Sequence, residues 1–503
     1  MNILFVYPEF ESFWGWKGLL KYVGKKSAFP PLGLLTVAAI LRILRSSWEM
    51  NFVDMNVKRL TRRCLKWADY VFISARGDQE KSAKKVIRRC NKLGIPVVLG
   101  GAALETEACC EKFPGVSHFF LGKVNDTMPK FVADLEAGRV KRIYVPKTPP
   151  DIRTTPIPLW ELADSQDYSS AIMECSMGCP YRCTFCNSFT TSGPWQGKSP
   201  DQVEAELEAL HKAGYSGSLL FADENVTGKI SHAKAVLERI SSWQERRGHP
   251  FKITGQVPVT IADDDQLLEL KVRAGVVRVF LGIETFNQAA LRECRKFQNL
   301  GRDLVACVHK ILSHGIDVAS GFIVGFDSDT EQTFDEMVAG IQAAGIGIAM
   351  VDTLQAQPGT VLFEQLNAQN RISYDSFSNT DARCNFKTAM PLEDLKRGYR
   401  KILRRIWDPK GVYERTCVFL EKYNPSKQIE RKLEPYDLKA FWKSVFWIGF
   451  LRFFWQPRVA RYYWKSLRAA RRVNKRAFPE VVARQMHAVH FRKFFAKTMR
   501  GSL

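Results

Sequence analysis

Crossing a bilayer takes about 20 mostly apolar residues in a row. The nearest approach in this 503-residue chain, Phe441 to Trp455, is cut by Lys443 and Arg452 and is too short. The opening residues, Met1-Asn2-Ile3-Leu4-Phe5-Val6, lack a basic leader, a long apolar core and a small-residue cleavage site. No secretory signal is expected, and synthesis should end in the cytosol. The twelve cysteines are then expected as reduced thiols, not as a disulfide framework. There is no G-x-G-x-x-G, so a nicotinamide cofactor finds no support. Acid is scarce at the far end: between Leu451 and Arg500 only Glu480 carries a carboxylate.

What is present is ordinary globular material. Hydrophobic residues make up 46% and charged residues 25%, which argues against disorder. The length allows two or three domains. The formal net charge of +22 predicts attraction to anionic surfaces.

The most specific feature lies between Cys175 and Cys186, with the spacing Cys179-x3-Cys183-x2-Cys186. Three thiolates on one short loop can hold three irons of a [4Fe-4S] cluster, where a closed site would need a fourth. The open iron can bind a small molecule and pass it an electron. Zinc is the competing reading, but zinc pairs come with a second pair or two histidines at matching spacing. Here Cys294, Cys307, Cys384 and Cys417 stand alone, and His211, His232 and His249 are scattered. Cys175 is read as packing.

From Asn2 to about Ala137, apolar runs at 3–6, 71–73, 97–99 and 118–121 alternate with helical patterns at 32–44, 79–93 and 127–135. This predicts a parallel sheet covered by helices, with ligands at the carboxyl ends of the strands. Several of those ends carry small residues, namely Ser74-Ala75, Gly100-Gly101-Ala102-Ala103 and Gly122. They suit close approach of a ligand or merely tight turns. Residues 138–168 hold Pro146, Pro149, Pro150, Pro156 and Pro158 and read as a linker. Six strand-helix units follow, with strands at 170–174, 218–222, 252–256, 277–282, 318–324 and 347–354. They predict an incomplete (β/α)6 TIM-like barrel whose site gathers at the strand ends. Those ends carry Asp223-Glu224-Asn225, Gln256, Glu284, Gly325 and Gln355. The expected division is an N-terminal Rossmann-like domain (1–137), the linker (138–168), the barrel (169–370) and a mostly helical, basic C-terminal region (371–503).

With its aromatic at Phe185, the cysteine motif resembles that of the radical S-adenosylmethionine (SAM) superfamily. Pro30-Pro31-Leu32-Gly33-Leu34-Leu35, the Asp54-x-Asn56 turn, Ser74-Ala75 and the Gly100-Gly101 loop resemble the cobalamin-binding domain that precedes the barrel in one subclass. The resemblance runs to about residue 420 and, with the basic aromatic tail, is nearest to the hopanoid methylase group. It implies that Cys179, Cys183 and Cys186 ligate the cluster and that SAM chelates the open iron. Reductive cleavage would then give a 5'-deoxyadenosyl radical, fed by a reductase or a flavodoxin or ferredoxin donor. It also implies that Glu284, Asp223 and Gly325 contact SAM, and that Ser74, Gly100 and Gly101 face cobalamin. The sequence departs from the subclass at two points. Where many cobalamin domains have Asp-x-His-x-x-Gly, this chain has Asp54-Met55-Asn56-Val57-Lys58-Arg59, and Lys123 replaces a glutamate common after the last strand. The implied activity is cobalamin-dependent methylation of an unactivated carbon of a lipid-like substrate. An oxidative cyclase or carbon-carbon bond-forming enzyme of the same architecture, and a non-catalytic iron-sulfur protein, are the alternatives. The run Leu291-x2-Cys294-x-Lys296-x-Gln298-Asn299 also resembles the subclass, without an evident physical role.

The tail mixes Trp and Phe with Arg and Lys. Such a helix can lie in a membrane interface, which would make this a cytoplasmic protein peripheral to the inner membrane. Alternatively its aromatics pack on the barrel and its basic face is solvated. Nucleic acid is a further use of such a surface, but no recognised RNA-binding module is visible.

Overall fold

Each apolar run of the first third becomes a strand because alternate residues find core on both faces. The structure is a computed structural model that describes residues 1–10, 16–104, 106–148, 150–373, 384–429 and 435–500; Pro149 of the expected linker lies outside them. The chain condenses into two units, Met1–Met177 with Thr191–Leu220, and Gly178–Thr190 with Phe221–Leu503.

In the first unit, β1 (Asn2–Tyr7), β2 (Glu49–Asp54), β3 (Tyr70–Ser74), β4 (Val97–Gly100), β5 (His118–Phe120) and β6 (Ile143–Tyr144) form a sheet in the order β2-β1-β3-β4-β5-β6. Every neighbouring pair is parallel. Leu4, Val6, Val71, Ile73, Val97 and Leu99 share a core with Val86, Ile87 and Cys90 of helix Glu80–Asn91. On the opposite face, Phe131 of helix Thr127–Glu136 sets its ring 6.1 Å from Phe72 and 5.5 Å from Phe120. Helices on both faces of a 2-1-3-4-5 sheet leave the carboxyl ends of the strands as the ligand edge.

Two strands go beyond the sequence expectation. Strand β2 pairs with β1 along its whole length, although only Phe52, Val53 and Asp54 of it are buried. Strand β6 falls inside the stretch expected as a linker and pairs with β5. Trp160 and Tyr168 of the same stretch are buried.

The short strands β8 (Ser176–Met177) and β9 (Gln196–Gly197) form an antiparallel pair. All six strands expected for the barrel are present: β7 (Ser170–Met173), β10 (Gly217–Phe221), β11 (Phe251–Val257), β12 (Val276–Glu284), β13 (Asp317–Val324) and β14 (Ile348–Thr353). Within the second unit β11 to β14 pair consecutively and in parallel.

The C-terminal region is helical, as expected. Helix Leu392–Ile406 turns Leu395, Tyr399, Ile402 and Leu403 inward at the spacing of one helical face. Helix Phe478–Phe494 is held to β13 by charge: the Arg484 guanidinium pairs with Asp317, donates to the Gly345 carbonyl at 2.9 Å and lies 3.6 Å over the Phe419 ring. Arg278 takes the other Asp317 oxygen at 2.9 Å. Among the described residues no helix is long and apolar enough to cross a membrane.

Breaking one partner of a buried pair costs about 3–5 kcal/mol, because the other charge is left uncompensated. Asp317→Asn is therefore expected to lower the urea unfolding midpoint sharply, while substitution of the exposed Arg397 leaves it unchanged. Burial opposes ionisation of Asp317, but Arg484 and Arg278 outweigh it and hold the carboxyl below the usual range. Its contribution should be complete above the unfolded carboxylate value, near pH 4, and lost as the pH falls through the lower folded value.

Candidate active site

The cysteine loop is built from within the second unit. Gly178 takes a positive φ of 79°, and its N–H donates to Glu224 Oε2 at 2.9 Å. Thr184 N–H donates to the Cys294 carbonyl at 3.0 Å, and Leu362 N–H donates to the Thr184 carbonyl at 2.8 Å. Cys183 is buried, Cys179 half-buried and Cys186 exposed. Two sulfurs receive amide donors: Asn225 Nδ2 lies 3.7 Å from Cys179 Sγ, and Gln298 Nε2 lies 3.8 Å from Cys183 Sγ.

Burial pushes the Cys179 and Cys183 thiols up, and Cys186 adds to both shifts, while Lys296 pulls both back. Cys179 and Cys183 thus both feel the Cys186 sulfur and one shared ammonium. Among the described residues no three His, Cys, Asp or Glu side chains converge on the position of a single metal ion. In a [4Fe-4S] cubane each thiolate binds a different iron.

Glu284 ends β12 with φ +64°, a left-handed conformation that costs a non-glycine residue on the order of 1–3 kcal/mol unless its surroundings enforce it. They do. The register of β12 against β13 shifts between Gly282 and Glu284. Asn299 Nδ2 donates to the Gly282 and Ile283 carbonyls at 2.9 and 3.0 Å. Lys296 Nζ sits 2.7 Å from Glu284 Oε1. A Cβ on Gly282 would stand 2.5 Å from that oxygen and 2.7 Å from the ammonium, so a side chain there would push the pair from this position. Burial pulls the Lys296 ammonium down, but Glu284, Cys183 and Cys186 together outweigh it and keep it charged.

Gly325 follows β13 with φ +108°, and its N–H donates to Asp329 Oδ2 at 2.8 Å. Burial pushes the Asp329 carboxyl up to about 6, against the pull of the Gly325 and Phe326 N–H groups. Phe326 brings its ring 6.3 Å from Phe185 of the cysteine motif. Asp223 is 1% exposed and precedes Glu224 and Asn225, which hold the loop. The structure therefore gathers the cysteines, Glu284 and the Gly325 turn within one unit.

In the first unit Ser74 and Gly100-Gly101 meet at the carboxyl ends of β3 and β4: a Cβ on Gly101 would lie 2.7 Å from Ser74 Oγ and 2.6 Å from the Ala75 carbonyl. With Gly101 and Ala102 exposed, this edge is a shelf of small residues that a flat, bulky cofactor can approach. Asn56, standing where many cobalamin domains have histidine, is committed locally. Its Nδ2 donates to the Pro8 carbonyl at 3.1 Å, and its Oδ1 accepts from Phe10 N–H at 2.9 Å. His118 sits at the amino end of β5 with Nδ1 2.7 Å from the Lys141 carbonyl. Lys123 pairs with Glu174 at 2.9 Å. A cavity of about 450 Å³ in this unit is bordered by Asp54, Tyr168 and Asp164, and includes none of the expected cobalamin contacts.

For four residues the structure supplies a place that the sequence alone does not show. Cys294 does not stand alone: its thiol is pushed up to about 12 by burial and then by Cys183. Lys296 and Asn299 give the Leu291–Asn299 run its role, bracing Glu284. Asp352 lies on β14 two residues beyond Met350, which is in register with Gly321; Gly321 faces Phe280 and Glu284, so Asp352 shares their side of the sheet. Burial alone pushes its carboxyl up to about 7. An acid at a strand position alternating with apolar neighbours was the available signal.

A cysteine loop braced by the strand ends of a parallel, TIM-like sheet defines a class of iron-sulfur enzymes. The model of the radical SAM superfamily matches residues 173–339, and a domain of unknown function, DUF4070, matches residues 360–502. An uncharacterized methyltransferase of Synechocystis sp. is 32% identical over 98% of this chain and 92% of its own length. The hopanoid C-2 methylase of Rhodopseudomonas palustris is 30% identical over 82% of this chain and 78% of its own. The solved structure of the radical SAM methyltransferase TsrM from Kitasatospora setae, with cobalamin and a [4Fe-4S] cluster bound, superposes with a TM-score of 0.60 at 15% identity, covering 93% of this chain and 99% of that one; at that identity the likeness is one of fold. The chain belongs to the radical SAM superfamily, and it is an enzyme.

If Gly282 serves the Glu284–Lys296 pair, Gly282→Ala should weaken SAM binding tenfold or more, about 1.4 kcal/mol, with the iron-sulfur absorbance retained. Equilibrium binding to the reconstituted protein measures it; a loss of both together would reduce Gly282 to a folding role.

Proposed function

We propose that this enzyme methylates an unactivated carbon of a lipid-like substrate with SAM, a [4Fe-4S] cluster and cobalamin. The observation that carries the reading is the 30% identity to the hopanoid C-2 methylase over four-fifths of both chains, joined to a cysteine loop whose sulfurs are supplied with amide donors. In this reading residues 1–137 are the cobalamin domain, 138–168 the linker, 169–370 the barrel and 371–503 the C-terminal region. The cofactors supply reductive cleavage of SAM to a carbon radical and a transferable methyl group.

Cys179, Cys183 and Cys186 would hold three irons. Asn225 and Gln298 donate toward two of the sulfurs, which favours thiolate over thiol. Glu284, paired with Lys296, would accept hydrogen bonds from the amino group of SAM. The buried Asp223 and the turn at Gly325 would frame the rest of that molecule. Ser74, Gly100 and Gly101 offer cobalamin a shelf without side chains to displace. Asn56 and His118 are both engaged elsewhere, so the protein would present no imidazole to cobalt. A reductase or a flavodoxin or ferredoxin would deliver the electron, and the enzyme would work in the cytoplasm, touching the inner membrane peripherally.

The decisive experiment is anaerobic reconstitution followed by assay for bound cobalamin, 5'-deoxyadenosine and product mass. A mass gain of one methylene unit supports methylation, and a mass loss of two hydrogens would point to a cyclase instead. Alanine at Cys179, Cys183 and Cys186 together is expected to abolish the cluster absorbance and SAM cleavage. Survival of either overturns the ligand assignment. Electron paramagnetic resonance of the cobalt should show no protein nitrogen; a nitrogen coupling that vanishes in His118→Ala would contradict the engagement of that ring.

A further inference from the structure

Residues Pro435–Trp455 run as one helical rod, α-helical at each end with a π-helical segment at Val445–Phe450. Its inner side is satisfied. Ala440, Ser444 and Ile448 are buried, Ser444 Oγ lies 2.8 Å from the Tyr463 hydroxyl, and a Cβ on Gly449 would meet the Trp464 ring at 2.8 Å. The outer side is aromatic. Trp442, Phe446, Trp447, Phe450, Phe454 and Trp455 are between 44% and 76% exposed. Successive rings touch one another, Phe446 with Phe450 at 6.4 Å and Phe450 with Phe454 at 5.6 Å. The ring row runs through the π-helical segment Val445–Phe450. A patch of this size and continuity on a folded surface marks an interaction site.

Charge identifies the occupant. The next helix, Pro457–Val473, packs beside the rod through Tyr463 and Trp464. Its exposed row is Arg461, Lys465, Arg468 and Arg472, spaced along one face. The rod's own acid, Asp437, is paired with Lys252. An apolar ridge with a cationic row beside it matches the interface of an anionic bilayer, where rings enter the acyl boundary and Lys and Arg stay among the headgroups.

We propose that the outer face of Pro435–Trp455 docks on an anionic lipid surface, with the ring row inserted shallowly and the Arg461–Arg472 row against the headgroups. This goes beyond the proposed chemistry and is tested without catalysis, so either can fail while the other stands.

The test is sedimentation of the full-length reconstituted protein with phosphatidylcholine vesicles and with vesicles containing phosphatidylserine. Binding to the anionic vesicles should be at least tenfold tighter in low salt, weaken with added salt, and shift tryptophan emission to the blue. Changing Trp442, Phe450 and Trp455 together to Ser should cut binding tenfold or more. Changing Arg461, Lys465 and Arg468 together to Glu should abolish the preference for anionic lipid. Both variants should keep wild-type circular dichroism and cluster absorbance, since all six side chains point outward. Equal binding to both vesicles, or none to either, overturns the proposal. So does displacement of the vesicles by RNA, or a dimer that the serine variant dissociates, since these assign the face to nucleic acid or to a second copy.

Discussion

A carboxylate and an ammonium 2.7 Å apart, Glu284 and Lys296, set the terms for everything around the cysteine loop. Glu284 leaves β12 in a left-handed conformation, which aims its side chain back over the strand end instead of along it. Nothing local to a glutamate favours this. The position holds because Gly282 has no Cβ to obstruct the pair and because Asn299 ties down the two carbonyls before it. The same short segment lends the Cys294 carbonyl to Thr184 and Gln298 to Cys183. One turn of chain after β12 therefore fixes both the acid and the sulfur loop. The ammonium does double service: it pairs with Glu284 and offsets the burial that would favour thiol over thiolate at Cys179 and Cys183.

How far this was legible follows from the range of each interaction. The barrel strands announced themselves through apolar residues recurring along each, as in β11, where Phe251, Ile253 and Val257 are buried between more exposed neighbours. Strand β2 did not, because its first half is exposed and reads as polar chain; only pairing with β1 makes it a strand. Strand β6 is two residues long and no periodicity can be seen in two residues. The cysteine spacing is a local pattern and was plain. The pairing of Lys296 with Glu284 joins residues across a turn, and a sequence shows two charges without showing that they meet. Cys294 stands alone in the chain's spacing, yet the fold puts it within electrostatic reach of Cys183. The strand-end acids are visible in the sequence as a set, whereas the apolar neighbours of Asp352 describe a core strand.

Buried ion pairs recur where chain segments must be held in one register. Lys198 pairs with Glu206 in the first unit, with side chains 5% and 2% exposed, and the Lys198 N–H donates to the Cys175 carbonyl at 2.9 Å. Arg484 and Asp317 do the same between a C-terminal helix and β13. Such pairs return little net stability, since desolvation consumes most of their attraction. Their consequence is intolerance of alternatives: a shifted register would leave a charge buried and alone.

The aromatic rod obeys the opposite logic. Its inner face is already secured by Ser444, Ile448 and Gly449 against Tyr463 and Trp464, so its fold does not require the outer rings. A solvent-facing position on such a helix is filled at least cost by Lys, Glu or Gln, which have good helix propensity and welcome water. Trp and Phe there have poorer propensity and leave apolar surface hydrated, at about 25 cal/mol for each Å². A row of them is therefore a standing cost in the isolated protein. Only an apolar environment outside the chain recovers it, and the cationic row on the adjoining helix restricts that environment to one bearing negative charge at its edge.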